Sequence, residues 1–241
     1  MEKVIYVLWR DGGAPVERWA ASLRTEVAAG LIAAGARGVQ VNVSDGAVAT
    51  SVMRMVELDP QMEAAVSVWL DSARDSTRRP CDDLLRGTAG VARVAAYLVT
   101  ESEPLPNTAH PAPLGERTPG FANLAFLRRP AEMPVAAWID AWHNGHTDVA
   151  VETQSTFGYV QNVVTRPLTP GAPDIDAVVE ELFPTEALTS LHAFFGAADD
   201  AELARNMRRM TESVARFGAD RSLDVVPTSQ YVISRPFGTT G

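Results

Sequence analysis

Apolar and polar positions along the chain fall into two repeating periods. Short β-rich apolar runs stand at Val4–Trp9 and Asn123–Leu127. Each is followed by a stretch opened by proline in which apolar residues recur every three or four positions: Val16, Trp19, Leu23 and Val27 after Pro15, and Val135, Trp138, Ile139 and Trp142 after Pro134. The first period predicts strands and the second predicts helices with a proline at the start. "GVQVNV" (38–43) and "GYVQNVV" (158–164) predict second strands after a glycine. "VSVWLDSARD" (66–75) and "LHAFFGAADD" (191–200) predict third strands running into second helices, and "AYLVTE" (96–101) and "QYVISR" (230–235) predict closing strands. The clearest helix is 199–217, where Leu203, Met207, Met210, Val214 and Phe217 form an apolar stripe in which the methionines read as core filler.

These segments occur in the same order twice, so the chain reads as an internal duplication. Each copy has the order βαββαβ, the ferredoxin-like plan, which leaves one sheet face without helices. Two copies can bury those faces against each other. The expectation is an α+β fold: two ferredoxin-like βαββαβ units packed sheet to sheet as a pseudo-twofold α/β barrel, with its pocket in the barrel interior. The units divide as 1–101 (a half with a degenerate site), a linker at 102–120 and 121–241 (the half with the candidate site). The stretch 100–120 holds five prolines in twenty-one residues, which favours an extended surface connection and leaves His110 exposed and without a role.

Composition narrows the function. The net charge is −9 and no Lys/Arg run exceeds two residues, which argues against a nucleic-acid partner. No apolar stretch approaches the ~20 residues of a membrane span, and "MEKVIYVLWR" enters a strand without a signal-like region, so a soluble cytoplasmic protein is expected. Cys81 is the sole cysteine. It rules out an intrachain disulfide and a cysteine metal cage, and reads as a free thiol in a loop. G-x-S-x-G, Walker, G-x-G-x-x-G and H-E-x-x-H signatures are absent.

The copies differ in chemistry. When the proline-started helices are aligned, His143 falls on Arg24 and His146 on Val27, and the first copy has no histidine. A fused barrel that kept one active pocket would look this way. His146 could serve as general base, with Tyr159 as hydrogen-bond donor to a developing enolate and His143 completing the catalytic group. Asn162, Glu152, Gln154, Trp142, His192, Tyr6 and Tyr231 are the candidate substrate-binding residues. The other reading has the imidazoles capping helix carbonyls near Gly145. His143, His146 and Asp148 or Glu152 match a zinc set only loosely, because zinc histidine pairs on a helix are usually four apart, so no metal is expected. Axial haem ligation by His143, His146 or His192 stays open.

"WIDAWHNGHTDVA" (138–150) resembles the helix motif of the EthD-like family in the dimeric α/β-barrel superfamily, with Trp138 as its aromatic, Trp142 as its Trp and His146 as its His; Thr147-Asp148 stands where Ala-Pro is usual. The resemblance implies a dimeric or fused barrel that admits a hydrophobic small molecule, in a superfamily of cofactor-free cyclases, decarboxylases, isomerases and monooxygenases together with haem enzymes. The expected function is a cofactor-independent acid–base enzyme of lyase, decarboxylase or cyclase type. It would act on a hydrophobic carbonyl or phenolic molecule, with a homodimer possible through an exposed sheet edge. The alternatives are a barrel that binds an apolar ligand or an assembly partner without catalysis, and a haem-binding dehydratase or monooxygenase.

Overall fold

A computed structural model describes residues 1–237. Eight strands form a closed antiparallel barrel: β1 (Glu2–Arg10), β2 (Gly38–Val43), β3 (Ala64–Leu70), β4 (Val91–Leu105), β5 (Phe121–Leu127), β6 (Gly158–Pro167), β7 (Ala177–Phe183) and β8 (Leu223–Ser234). Their order around the wall is β1-β3-β2-β8-β5-β7-β6-β4, with β4 pairing back to β1. The two βαββαβ copies join along β2–β8 and β4–β6. Closure leaves no free edge in this wall, so the edge that would have paired two chains does not exist.

Helices cover the outside. In the first copy α1 (Val16–Ser22) passes through a π turn at Leu23–Val27 into α2 (Ala28–Ala33), and α3 (Asp75–Arg86) lies beside them. In the second copy α4 (Val135–His143) breaks before α5 (Thr147–Thr153), and α6 (Leu191–Phe194) and α7 (Asp200–Ala215) complete the layer. The break falls at Gly145, where an added Cβ would lie 2.6 Å from the Ala141 carbonyl oxygen. Pro15 and Pro134 stand at the helix starts as expected.

Strand alternation sends one set of residues to the helices and the other inward. In β1, Val4, Tyr6 and Leu8 meet the helix layer with Trp19, Leu23 and Leu31. Ile5, Val7 and Trp9 point inward and join Tyr97, Phe126 and Val178 in an apolar plug that fills one end of the barrel. Loops seal that end: Trp9 Nε1 donates to the Pro60 carbonyl at 2.8 Å, and Tyr97 Oη to that of Pro173 at 2.8 Å.

Several expectations need correction. The third strand of the second copy is Ala177–Phe183, whereas 191–194 is a short helix on an insertion that precedes α7. The amphipathic run after that insertion aligned correctly, and the strand was misplaced because "LHAFF" and a buried strand share an apolar composition. The closing strands also slip. Ile5 pairs with Tyr97 and Leu124 with Val226, so Tyr97 corresponds to Val226 rather than to Tyr231. An odd slip reverses the side-chain face: Tyr97 points into the barrel and Tyr231 into the helix layer. Cys81 is buried within α3, not in a loop, and burial raises its thiol to about 11. Met207 is exposed on α7, and β4 runs on to Leu105.

Candidate functional site

In "VQVNV" of β2 the valines face the helices, which sends Gln40 and Asn42 into the barrel. By the same alternation β7 presents Glu180 inward, and β8 presents Thr228 and Gln230. These side chains converge at the end opposite the apolar plug. Glu180, 5% exposed, accepts hydrogen bonds from three amides. Its Oε1 receives Gln40 Nε2 at 3.0 Å, Asn42 Nδ2 at 2.7 Å and Gln230 Nε2 at 2.6 Å, while Oε2 receives only Gln40 Nε2 at 2.8 Å. A carboxylate offers about four acceptor sites, so Oε1 is crowded and Oε2 keeps an open one. Thr118 Oγ1 donates to Gln230 Oε1 at 2.6 Å and ties the β4–β5 connection to this cluster.

Above Glu180 lies a cavity of about 430 Å³, walled by Lys3, Trp69, Glu101, Glu103, Val160 and Ser234, among others, and roofed by parts of 105–112 and 235–237. Its volume is within the ~300–1,000 Å³ usual for small-molecule pockets. The Lys3 ammonium bonds Glu101 and sits 4.7 Å from the centre of the Trp69 ring. Burial first, then the neighbouring Glu101 and Glu180, hold the Glu103 carboxyl above its ordinary value.

Most of the residues expected to form the site lie elsewhere. His146 is 7% exposed, between helices on the outside of the wall; its Nδ1 is 2.9 Å from Ser213 Oγ of α7 and its ring centre 4.9 Å from that of Phe217. Burial lowers its pKa to about 4. His143 stands edge-on to Trp142 at 4.5 Å, its Nε2 without a hydrogen-bond partner, and burial lowers its pKa as well. Tyr159 faces the helices, where its hydroxyl accepts from Trp142 Nε1 at 3.5 Å, and burial pushes its phenol far up. Tyr6 donates to Asp82 at 2.8 Å, and Tyr231 accepts from Arg24 at 2.9 Å, both in the first copy's helix layer. Glu152 is an exposed partner of Arg209, and His192 is exposed on α6 against Asp200 at 3.0 Å. Asn162 alone faces the barrel. It is the next inward residue of β6 after Val160, and its Oδ1 has no partner.

These placements correct the expected position of His146: its helix lies on the outer face of the wall, and the ring does not line the barrel pocket. Trp142, Tyr159 and Gln154 do come together there, around a residue the pattern did not single out. Glu181 pairs across the sheet with Tyr159, and the Gln154 amide, turned to satisfy both neighbours, donates to Ala150 O at 3.2 Å and to Glu181 Oε1 at 3.1 Å. Burial raises Glu181 to about 7. No group of three His, Cys, Asp or Glu side chains is placed to hold a metal among the described residues. None of His143, His146 and His192 borders the cavity, and the His146 ring is enclosed by Ser213 and Phe217, so these histidines do not fit axial ligation of a haem in it. One signal for Glu180 was available: two consecutive glutamates inside the apolar run "AVVEELF" must place one acid on each face of a strand.

No family model matches the sequence, and no curated protein is similar to it. Among solved structures, an anthrone oxidase-like protein aligns over 100% of this chain and 96% of its own, at 8% identity and a TM-score of 0.58. A protein described as a candidate monooxygenase, from Fusobacterium nucleatum subsp. nucleatum, aligns over 97% of this chain and 92% of its own, at 7% identity and a TM-score of 0.50. At such identities the likeness is one of fold. The barrel fold is shared, and here both of its halves lie in one chain. No helix among the described residues is long and apolar enough to cross a membrane.

Proposed function

We propose that this chain is a small-molecule enzyme that works in the mouth cavity, where Oε2 of Glu180 takes a proton from an acidic C–H or O–H of a carbonyl or phenolic compound. The observation that carries this reading is the asymmetry of the Glu180 carboxyl, one oxygen fixed by three amides and the other left with an open acceptor site beside the cavity. Preorganised donors of this kind hold a base in one orientation, and a positioned base contributes about 10²–10⁴-fold. The name of the anthrone oxidase-like neighbour supplies a probe of the right class, since an anthrone has a methylene made acidic by its ring system. Helix α4 then serves as a scaffold for the wall, its own Trp138 and Trp142 packed against the sheet. Closure within one chain means that the reading needs no second copy, and the unpaired Cys81 suits a cytoplasmic setting.

The test is exchange of the anthrone methylene protons with deuterated water, followed by NMR. Acceleration by the wild-type chain and its loss in Glu180→Gln, with the fold intact by circular dichroism, support the reading. Equal rates in the two proteins, or no acceleration, overturn it. A second reading, a barrel that binds without turnover, is favoured by the crowding of Oε1, and it predicts ligand uptake with no exchange.

A further inference from the structure

The hydrogen-bonding capacity around the mouth cavity is unbalanced. Most of its inward donors are already used: the amides of Gln40, Asn42 and Gln230 serve Glu180, the Thr118 hydroxyl serves Gln230, and the Lys3 ammonium serves Glu101, which leaves the exposed Arg235 guanidinium at the rim and the Ser234 hydroxyl. Acceptors are left over. Among the described residues Glu103 has no hydrogen-bond or ion-pair partner, and Glu180, although buried, has no cation. Ser234 Oγ, on the cavity wall, is shielded from solvent and unpartnered. Oδ1 of Asn162, a residue 1% exposed on the inward face one step below the cavity-lining Val160, is also unpartnered. Buried polar atoms without partners are rare enough to require a reason, and a surplus of acceptors is relieved by a ligand that donates.

Charge points the same way. Lys3 neutralises Glu101 and Arg235 stands at the rim, so the three glutamates on the wall outnumber its two cations, and burial first, then Glu101 and Glu180, hold Glu103 up. The cavity also shows what it does with an ammonium, because the Lys3 Nζ is held by a carboxylate and the face of Trp69. We infer that the mouth cavity takes a small molecule that carries a protonated amine on an aromatic or apolar body, with Glu103 receiving the ammonium and Oε2 of Glu180 left to the reacting proton. This rests on the reading above that the cavity is the substrate site, and it adds the substrate class. A neutral or anionic ligand can still enter, but it leaves the surplus negative charge of the wall unmatched and so binds less tightly than an otherwise matched ammonium.

Two probes with one phenolic body separate the possibilities: tyramine, which carries the ammonium, and 4-hydroxyphenylethanol, which carries a hydroxyl in its place. Calorimetric titration of the full chain near neutral pH should show tyramine binding more tightly by about tenfold or more, a difference of about 1.4 kcal/mol, with an advantage that shrinks as salt rises. Glu103→Gln, at the accessible rim, should cut that advantage several-fold and leave the affinity for the alcohol unchanged. Equal affinities, tighter binding of the alcohol, or an unchanged preference in Glu103→Gln overturns the inference. If the alcohol binds while the amine gains nothing, the barrel-site reading survives alone; if neither binds at millimolar concentration, both fall.

Discussion

Glu180 and Glu181 are neighbours in β7, and they serve opposite sides of the barrel wall. Glu180 faces the polar cavity and is held by three amides, whereas Glu181 faces the helices beside Tyr159 and Gln154. Adjacent residues of a strand point to opposite faces, so two identical side chains meet two environments. Their consequences can be measured separately.

Glu181 should make the fold less stable as pH rises. Burial raises its carboxyl from 4.5 to about 7, so between those values the folded chain holds a proton that the unfolded chain has released. Stability is therefore lost across that window, and the penalty is complete above it. Glu181→Gln should flatten this slope and exceed the wild type near pH 8, by at most on the order of 3 kcal/mol, in urea denaturation compared with that near pH 5.

His146 should act in the other direction. Its imidazole is lowered from 6.5 to about 4, so below 6.5 the unfolded chain gains a proton that the folded chain refuses. Stability is full above 6.5 and falls as pH drops toward 4. His146→Gln should flatten this acid limb and leave anthrone exchange unchanged; a loss of exchange in the folded variant would return His146 to the mechanism. Ser213→Ala, which removes the partner of Nδ1, should cost about 1–3 kcal/mol.

The two buried tyrosines should separate by the quality of their hydrogen bonds. Tyr6 donates at 2.8 Å to Asp82, a carboxylate that also binds Arg78, so Tyr6→Phe should cost about 1.5–3 kcal/mol. Tyr159 meets Trp142 at 3.5 Å, the outer limit for such a bond, and Tyr159→Phe should cost less than about 1 kcal/mol. Chemical denaturation of the two variants gives the comparison, and equal costs would contradict it.

Gly120 and Gly115 make a matched pair of left-handed positions, with φ +85° and +81°. At Gly115 an added Cβ meets nothing within 4 Å, so Gly115→Ala should cost only the conformational strain of about 1–2 kcal/mol. At Gly120 it would lie 2.0 Å from the Phe183 carbonyl oxygen, and the start of β5 would have to move away from β7. Gly120→Ala should cost clearly more, and melting temperatures of the two variants measure the gap.

Much of the wall was legible along the chain. Proline starts, glycine-opened strands and the α7 stripe are local signals, and they placed β1, β2, β5 and β6 and the helices after them. Register was less accessible. Matching Tyr97 to Tyr231 by their similar surroundings put both on one face, yet the ladder pairs Ile5 with Tyr97 and Leu124 with Val226, which divides them between the barrel and the helices. The histidines misled for a related reason. Their restriction to one copy is real, but a helix residue cannot declare which side of the sheet its helix covers, and His146 went to Ser213 and Phe217.

By itself, the amino-acid order determined a duplicated βαββαβ chain whose apolar sheet faces had to be buried, because periodicity and breakers act over a few residues. Only the tertiary structure decided that one end of the barrel is plugged by Trp9, Tyr97 and Phe126 while the other gathers Gln40, Asn42, Gln230 and Glu180 around a cavity. Those four residues lie on three strands far apart in sequence, and what brings them together is the pairing of β2 with β8 and the closure of the wall across β7. That long-range register is settled by the packing of whole strands, to which no short stretch of the chain holds the key.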